Sequence, residues 1–158
     1  MDDKIRLIID KLTILNKTIS TMESCTGGCL ANAITNIEGA SEILKFSAVT
    51  YSNEFKIKMG VNKSTIDKYS VYSINVAREM SKAISDFTNS DYGVGITGKL
   101  NRVDKNNPFG KDNITFVSIY DKQNDKYYTL IIEATKESRS ENKVLIIDKI
   151  TSLLLQII

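Results

Sequence analysis

The stretch "TMESCTGGC", Thr21 to Cys29, decides how this chain is read. "KTISTM", Lys17 to Met22, runs into it with the pattern of a short strand. Directly after its glycines, Cys29, Leu30, Ala31, Ala33, Ile34 and Ile37 form a helical stripe. A strand therefore turns into a helix across Ser24, Thr26, Gly27 and Gly28. Glycine lets a backbone approach a ligand closely, and a helix start leaves N–H groups unpaired. The turn has two readings from its residues. One is a site for an anion or a developing oxyanion. The other is a plain helix cap, a position that Ser and Thr favour anyway. A Walker loop is excluded because the Gly-Lys-Ser/Thr ending is missing. Cys25 and Cys29 lack the C-x-x-C spacing and are the only two cysteines, so core packing is expected of both.

Outward from this turn, helices and strands alternate. Ile5, Ile8, Ile9, Leu12 and Leu15 predict an opening amphipathic helix. "EGAS", Glu38 to Ser41, reads as a break, and "KFSAVTY", Lys45 to Tyr51, as a second strand. A short helix is expected from Ser52 to about Met59, ahead of Gly60. Ser64 with Asp67, and separately Ser73, have the spacing of helix starts. Val76, Ala77, Met80, Ala83, Ile84 and Phe87 are the clearest helical stripe in the chain. "DYGVGI", Asp91 to Ile96, reads as a third strand, followed by a polar loop from Lys99 to Asn113. "ITFVSIY" and "YYTLIIE" flank "DKQNDK" as a hairpin, and Ile146, Ile147, Ile150, Leu153, Leu154 and Ile157 close with a helix. The expectation is a single α/β domain over residues 1–158, a three-layer α/β/α arrangement with a mixed, mostly parallel sheet.

Composition narrows the chemistry. The 158 residues contain no histidine, which removes Ser-His-Asp and Cys-His catalysis and most zinc and iron site types. An acid–base catalyst here must be Lys, Tyr, Asp, Glu or Cys. With 21 Lys and Arg against 19 Asp and Glu, charge gives no case for a nucleic-acid partner. No apolar run has the length of a membrane span, and "MDDKIRLIIDKL" is unlike a secretory signal, so a cytoplasmic protein is expected.

The second informative stretch is "VTYSNEFK", Val49 to Lys56, which leaves a strand and enters a helix. Tyr51 and Lys56 are placed so that both side chains could face one site. Lysine acts as a base when desolvation lowers its pKa, and tyrosine can relay a proton or hold a nucleophile. By residue type alone, both equally suit an exposed helix start.

Together, "ESCTGG" and "VTYSNEFK" closely resemble the CinA carboxy-terminal domain family, the nicotinamide mononucleotide deamidases, whose pattern is A-E-S-C-T-G-G and then V-T-Y-S-N-E-A-K. Met22 and Phe55 stand where the family has alanines. "ITNIEGAS", "MGVNKSTIDKYSVYSINVAREM" and "SDYGVGITG" are similar to further family segments, so the resemblance covers about Lys17 to Gly98 well. It implies the same three-layer fold, often as a homodimer, and hydrolysis of the carboxamide of nicotinamide mononucleotide to nicotinate mononucleotide and ammonia. It implies Ser24 as nucleophile, Lys56 as general base and Tyr51 completing the triad. Thr26, Gly27, Gly28, Thr97, Gly98 and Arg139 would bind the nucleotide substrate, with backbone N–H groups at Thr26, Gly27 and Gly28 facing the oxyanion. No metal and no cofactor are implied. The larger amino-terminal domain to which some family members are fused is expected to be absent.

Departures cluster after Gly98. The family continues T-G with I-A-G-P, whereas this chain has "KLNRVDKNNPFG", Lys99 to Gly110. Bulky residues resist backbone conformations that glycine permits. Lys99 or Arg102 could hold a phosphate here, or both could be solvated loop charges. "NPFG" is a candidate remnant of the family's P-x-G-T-V, and Lys143 stands at the family's second arginine near "ESRSENK". Three functions follow as expectations: the amidase, a nucleotide-binding or regulatory module with impaired turnover, and a serine hydrolase of another amide.

Overall fold

The computed structural model describes residues 1–102, 104–108 and 110–158. Val103 in the loop after Gly98, and Phe109 of "NPFG", lie outside the described residues. The chain runs α1 (Asp2–Ile14), β1 (Ile19–Glu23), α2 (Cys29–Thr35), α3 (Ala40–Ile43), β2 (Leu44–Val49), α4 (Asn53–Lys58), α5 (Lys63–Tyr69), α6 (Ile74–Thr88), β3 (Tyr92–Gly98), β4 (Ile114–Asp121), β5 (Lys126–Glu133) and α7 (Arg139–Ile157). The strands form one five-stranded sheet in the order β2-β1-β3-β4-β5. β1 pairs in parallel with both β2 and β3, while β3–β4 and β4–β5 are antiparallel. Four of the five strands therefore point the same way and only β4 is reversed. The sheet is mixed and mostly parallel, as the alternation of elements followed by a hairpin predicts.

Two apolar clusters lie on opposite faces of this sheet. On one face α1, α2, α3 and α7 bury Ile5, Leu12, Leu30, Ile43, Ile147 and Leu154 against Ile19, Ile96 and Val117. On the other face Val76, Met80 and Ile84 of α6 meet Met22, Val61 and Val71. A fully buried strand with both faces covered should read as continuously apolar. β3 departs from that because it carries Gly93 and Gly95, and both serve close packing. A Cβ on Gly93 would stand 1.9 Å from the Ser81 carbonyl oxygen, and one on Gly95 would stand 2.3 Å from that of Ala77. The backbone of α6 thus lies directly on β3, and Ser81 Oγ donates to Ser118 Oγ of the neighbouring β4 at 3.0 Å.

Several local expectations change. "EGAS" is no simple break: Gly39, in the left-handed region at φ 89°, leads at once into α3. The cap of α5 is Asn62 rather than Ser64, because Glu79 of α6 accepts from both the N–H and the side-chain amide of Asn62 and draws the chain in there. Phe87 belongs to the α6 stripe by spacing but is exposed, beside Phe46 of the edge strand β2 at 5.7 Å between ring centroids. Ser73 does cap α6, accepting from the Val76 N–H. Ser138 caps α7 in a reciprocal capping box with Glu141. Among the described residues no helix is long and apolar enough to cross a membrane.

The α6–β3 contact yields a test of the fold. Gly95→Ala is expected to destabilise the protein by about 1–3 kcal/mol, the usual cost of overpacking. Urea denaturation should show a lower midpoint with an unchanged slope.

Candidate active site

Glu23 ends β1 and is fully buried. Its carboxylate accepts from Thr26 Oγ1 at 2.6 Å, from the Leu30 N–H at 3.2 Å and from the Ala31 N–H at 2.9 Å. A buried carboxylate needs such donors, and a helix N-terminus supplies them together with its positive dipole end. The start of α2 is therefore already occupied by a residue of the chain. The reading of that helix start as an open anion site is corrected here: the protein's own carboxylate sits there. The turn between β1 and α2 is closed by Gly27 N–H to the Ser24 carbonyl at 3.0 Å. Gly27 and Gly28 have φ of 63° and 88°, a region where side chains are strained. The N–H groups of Cys25, Thr26 and Gly28 donate to no backbone carbonyl among the described residues.

This turn projects Ser24 into a cleft, where it meets Lys56 from α4. Ser52 caps α4 and fixes its phase, accepting from the Phe55 N–H at 3.3 Å. Lys56 points inward and is only 2% exposed. Its Nζ lies 3.0 Å from Ser24 Oγ and donates to the Thr50 carbonyl at 2.7 Å. Burial pulls the Lys56 ammonium down to about 8, against smaller opposing pulls from Cys25 and Asp104. Lys56 can thus shed its proton at mildly alkaline pH, well below the range of a solvated lysine. Cys25 is buried behind Ser24, with Sγ 3.8 Å from Thr115 Oγ1, and burial pushes its thiol up to about 11. Cys29 is half-buried, and burial raises its thiol as well.

The cleft has a volume of about 680 Å³ and takes in Ser24, Cys25, Tyr51, Lys56, Gly98 and Arg139. Tyr51 stands at its mouth, 66% exposed, and bonds to neither Ser24 nor Lys56 among the described residues. Thr26, Gly27, Gly28 and Thr97 do not line the cleft. Thr26 is spent on Glu23, and Thr97 Oγ1 donates to the Val71 carbonyl at 3.0 Å. Gly98 faces the cleft at the end of β3, where a Cβ would stand 2.5 Å from Thr115 Cα. Arg139, the first residue of α7, donates from Nη1 to the Leu100 carbonyl at 2.8 Å. Lys143 lies one helical turn further on and extends toward the Gly27 turn.

The altered loop after Gly98 forms the opposite wall. Lys99 is buried, pairs with Asp112 at 3.2 Å and holds its Nζ 5.0 Å from the centre of the Tyr72 ring. Arg102 lines the cleft beside Asp104. The Tyr72 hydroxyl donates to the Asp104 carboxylate, and Asn53 of α4 donates to Asn107 at 3.0 Å. Sequence reasoning passed over Glu23, Tyr72 and Asp104. Only Glu23 carried a local signal, as an acid eight residues or fewer ahead of the N–H groups it caps.

Comparison with known proteins bears on the family and the fold. Residues 2–154 match the family described as CinA C-terminal domain. A relative from Clostridium kluyveri, provisionally named a competence-damage inducible protein, is 47% identical over 94 residues, which is 59% of this chain and 22% of that one. A relative of the same provisional name from Alkaliphilus oremlandii is 43% identical over 99 residues, 61% of this chain and 24% of its own. The chain thus matches under a quarter of the length of these relatives. The competence/damage inducible protein from Agrobacterium tumefaciens superposes with a TM-score of 0.87 at 25% identity, covering 98% of this chain and 93% of its own. A CinA superfamily protein from Escherichia coli shares the fold, with a TM-score of 0.88 at 23% identity, over 99% of this chain and 90% of its own.

The buried carboxylate at the head of α2 gives a direct test. Glu23→Gln keeps the volume but removes the charge that three donors face, and it should cost about 1.5–3 kcal/mol per charged hydrogen bond lost. Denaturant unfolding measures the loss.

Proposed function

The chain belongs to the CinA C-terminal domain family, and from that premise we propose that it is a metal-independent amidohydrolase that converts nicotinamide mononucleotide to nicotinate mononucleotide and ammonia. The observation that carries this reading is the buried Lys56 Nζ, 3.0 Å from Ser24 Oγ with its pKa drawn toward neutrality. A neutral amine has one lone pair and two N–H bonds. With one N–H given to the Thr50 carbonyl, the lone pair is free to accept the Ser24 hydroxyl proton.

The reaction then balances as follows. Ser24 Oγ attacks the carboxamide carbon as its proton passes to Lys56. Collapse of the tetrahedral adduct breaks the C–N bond, and the Lys56 proton leaves with the nitrogen as ammonia. Water, deprotonated by the same amine, attacks the acyl-serine, and the carboxylate departs as Ser24 regains its proton. Candidates for holding the oxyanion are backbone N–H groups of the turn that follows Ser24, of whose residues Cys25 lines the cleft. Tyr51, at the mouth, would reach the reacting atoms only by turning inward. Arg139 and Gly98 are offered as substrate-binding residues on their place in the cleft. A homodimer is part of the reading, supported by the exposed Phe46 and Val49 on the edge strand β2.

One observation favours a second reading, a nucleotide-binding module with impaired turnover: Tyr51 is exposed and bonded to neither partner of the pair. Ammonia release from nicotinamide mononucleotide separates the two. The amidase should lose on the order of 10³-fold or more in kcat/KM in Ser24→Ala and in Lys56→Ala. Wild-type release no greater than that of these variants would instead leave the binding module.

The pH profile is fixed in sign. The base must be neutral, and Lys56 loses its proton as pH rises through about 8. The rate should therefore climb about tenfold per pH unit below that value and level above it. Initial rates across roughly pH 6 to 10 check this.

A further inference from the structure

The cleft is electrostatically uneven. Among the described residues that line it, Lys56, Lys99, Arg102 and Arg139 are basic and Asp104 is the only acid. Asp104 is held in place from three directions: by the Tyr72 hydroxyl, by Asn107 Nδ2 at 2.9 Å and by the Asn106 N–H at 2.9 Å. These bonds, that of Tyr72 foremost, keep its carboxyl below the usual carboxylate range. Two aromatic rings, Tyr51 and Tyr72, line the same cleft. One face of the Tyr72 ring already receives a cation, the Lys99 ammonium, whose charge Asp112 offsets at 3.2 Å. A fixed carboxylate bonded to one tyrosine, in a cleft that a second tyrosine also lines, is a composition suited to a flat organic cation, through opposite charge and through the negative ring faces.

We propose that Asp104, with the rings of Tyr51 and Tyr72, is the specificity determinant of the cleft and selects substrates whose amide is carried on a planar aromatic cation, the pyridinium ring of an N-substituted nicotinamide. The proposal rests on the amidase reading of the same cleft and adds what that reading leaves open: which feature of the substrate is sensed, and by which residues. Asp104 touches none of the proton-transfer atoms. It acts on the ring that bears the amide, and its anchorage through Asn107 to Asn53 ties that ring to α4, the helix that carries Lys56.

The test compares two ligands of nearly the same shape. Oxidised nicotinamide mononucleotide has a cationic ring, and its reduced dihydro form has a neutral one. Titration calorimetry on the full chain carrying Ser24→Ala, which prevents turnover, should show the oxidised form binding at least about tenfold more tightly. Adding Asp104→Asn, which removes charge and keeps shape, should bring the ratio close to one while the reduced form binds within about threefold of before. Tyr72→Phe, which keeps the ring and loses the bond to Asp104, should give an intermediate ratio. Equal affinities for the two ligands in the Ser24→Ala chain overturn the proposal, whether or not the Asp104 variant folds. So does an equal loss of both affinities in Asp104→Asn, which would assign Asp104 to pinning the loop. Wild-type ammonia release measured in parallel keeps the two readings apart. Release without ligand discrimination sinks the selectivity and leaves the amidase, whereas neither release nor binding sinks both.

Discussion

The site depends on one buried carboxylate. Glu23 ends the central strand β1 and receives the first free N–H groups of α2, so strand and helix are locked at a fixed angle with the Ser24 turn between them. Without that charge the helix start would need another partner, since unpaired buried N–H groups are costly. Gly27 and Gly28 then supply the backbone conformations that let the turn close over so few residues. The serine is presented because the residues on both sides of it are held, and its own hydroxyl is left to face Lys56.

Burying Lys56 is the second constraint, and it opposes stability. An ammonium out of water is disfavoured, and the Thr50 carbonyl compensates only part of that cost. The fold tolerates the residue because the amine can shed its proton at modest pH, the property that a base needs. Lys58, two positions later, instead extends to solvent and pairs with Glu54 on the surface. These neighbours on one short helix differ in placement: Lys56 turns into the cleft beside Ser24, whereas Lys58 stays on the surface.

Much of this was legible in the sequence, and the reasons for the rest are physical. The stripes of α1, α6 and α7 show as periodicity because one face of each is deeply buried. The mixed sheet follows from alternation that gives way to a hairpin. Ser24 and Lys56 were readable from two motifs joined by a family resemblance. Tyr51 was grouped with them because separation along a chain does not reveal contact: it lines the mouth of the same cleft but stays largely exposed and bonds to neither partner among the described residues. Thr97 and Gly98 were taken together, yet neighbouring residues of a strand face opposite ways, and only Gly98 meets the cleft. Tyr72 and Asp104 are 32 positions apart, and nothing local announces that they meet. Glu23 was passed over because the donors that bury it lie in the next element.

The position of Cys25 has a consequence for anyone wishing to label or inhibit this protein. It directly follows the serine in sequence, and a chemist scanning the motif would choose its sulfur as the point of attack. The fold makes it a poor target. The thiol is enclosed, packed on Thr115, and held in its unreactive protonated form. Alkylating reagents would meet Cys29 first, on the partly exposed start of α2, where a bulky adduct would sit near Lys143 rather than over the serine. Reagents aimed at Ser24 should therefore be oxygen-seeking electrophiles, and a thiol-directed probe on Cys29 would report on the start of α2, outside the cleft lining.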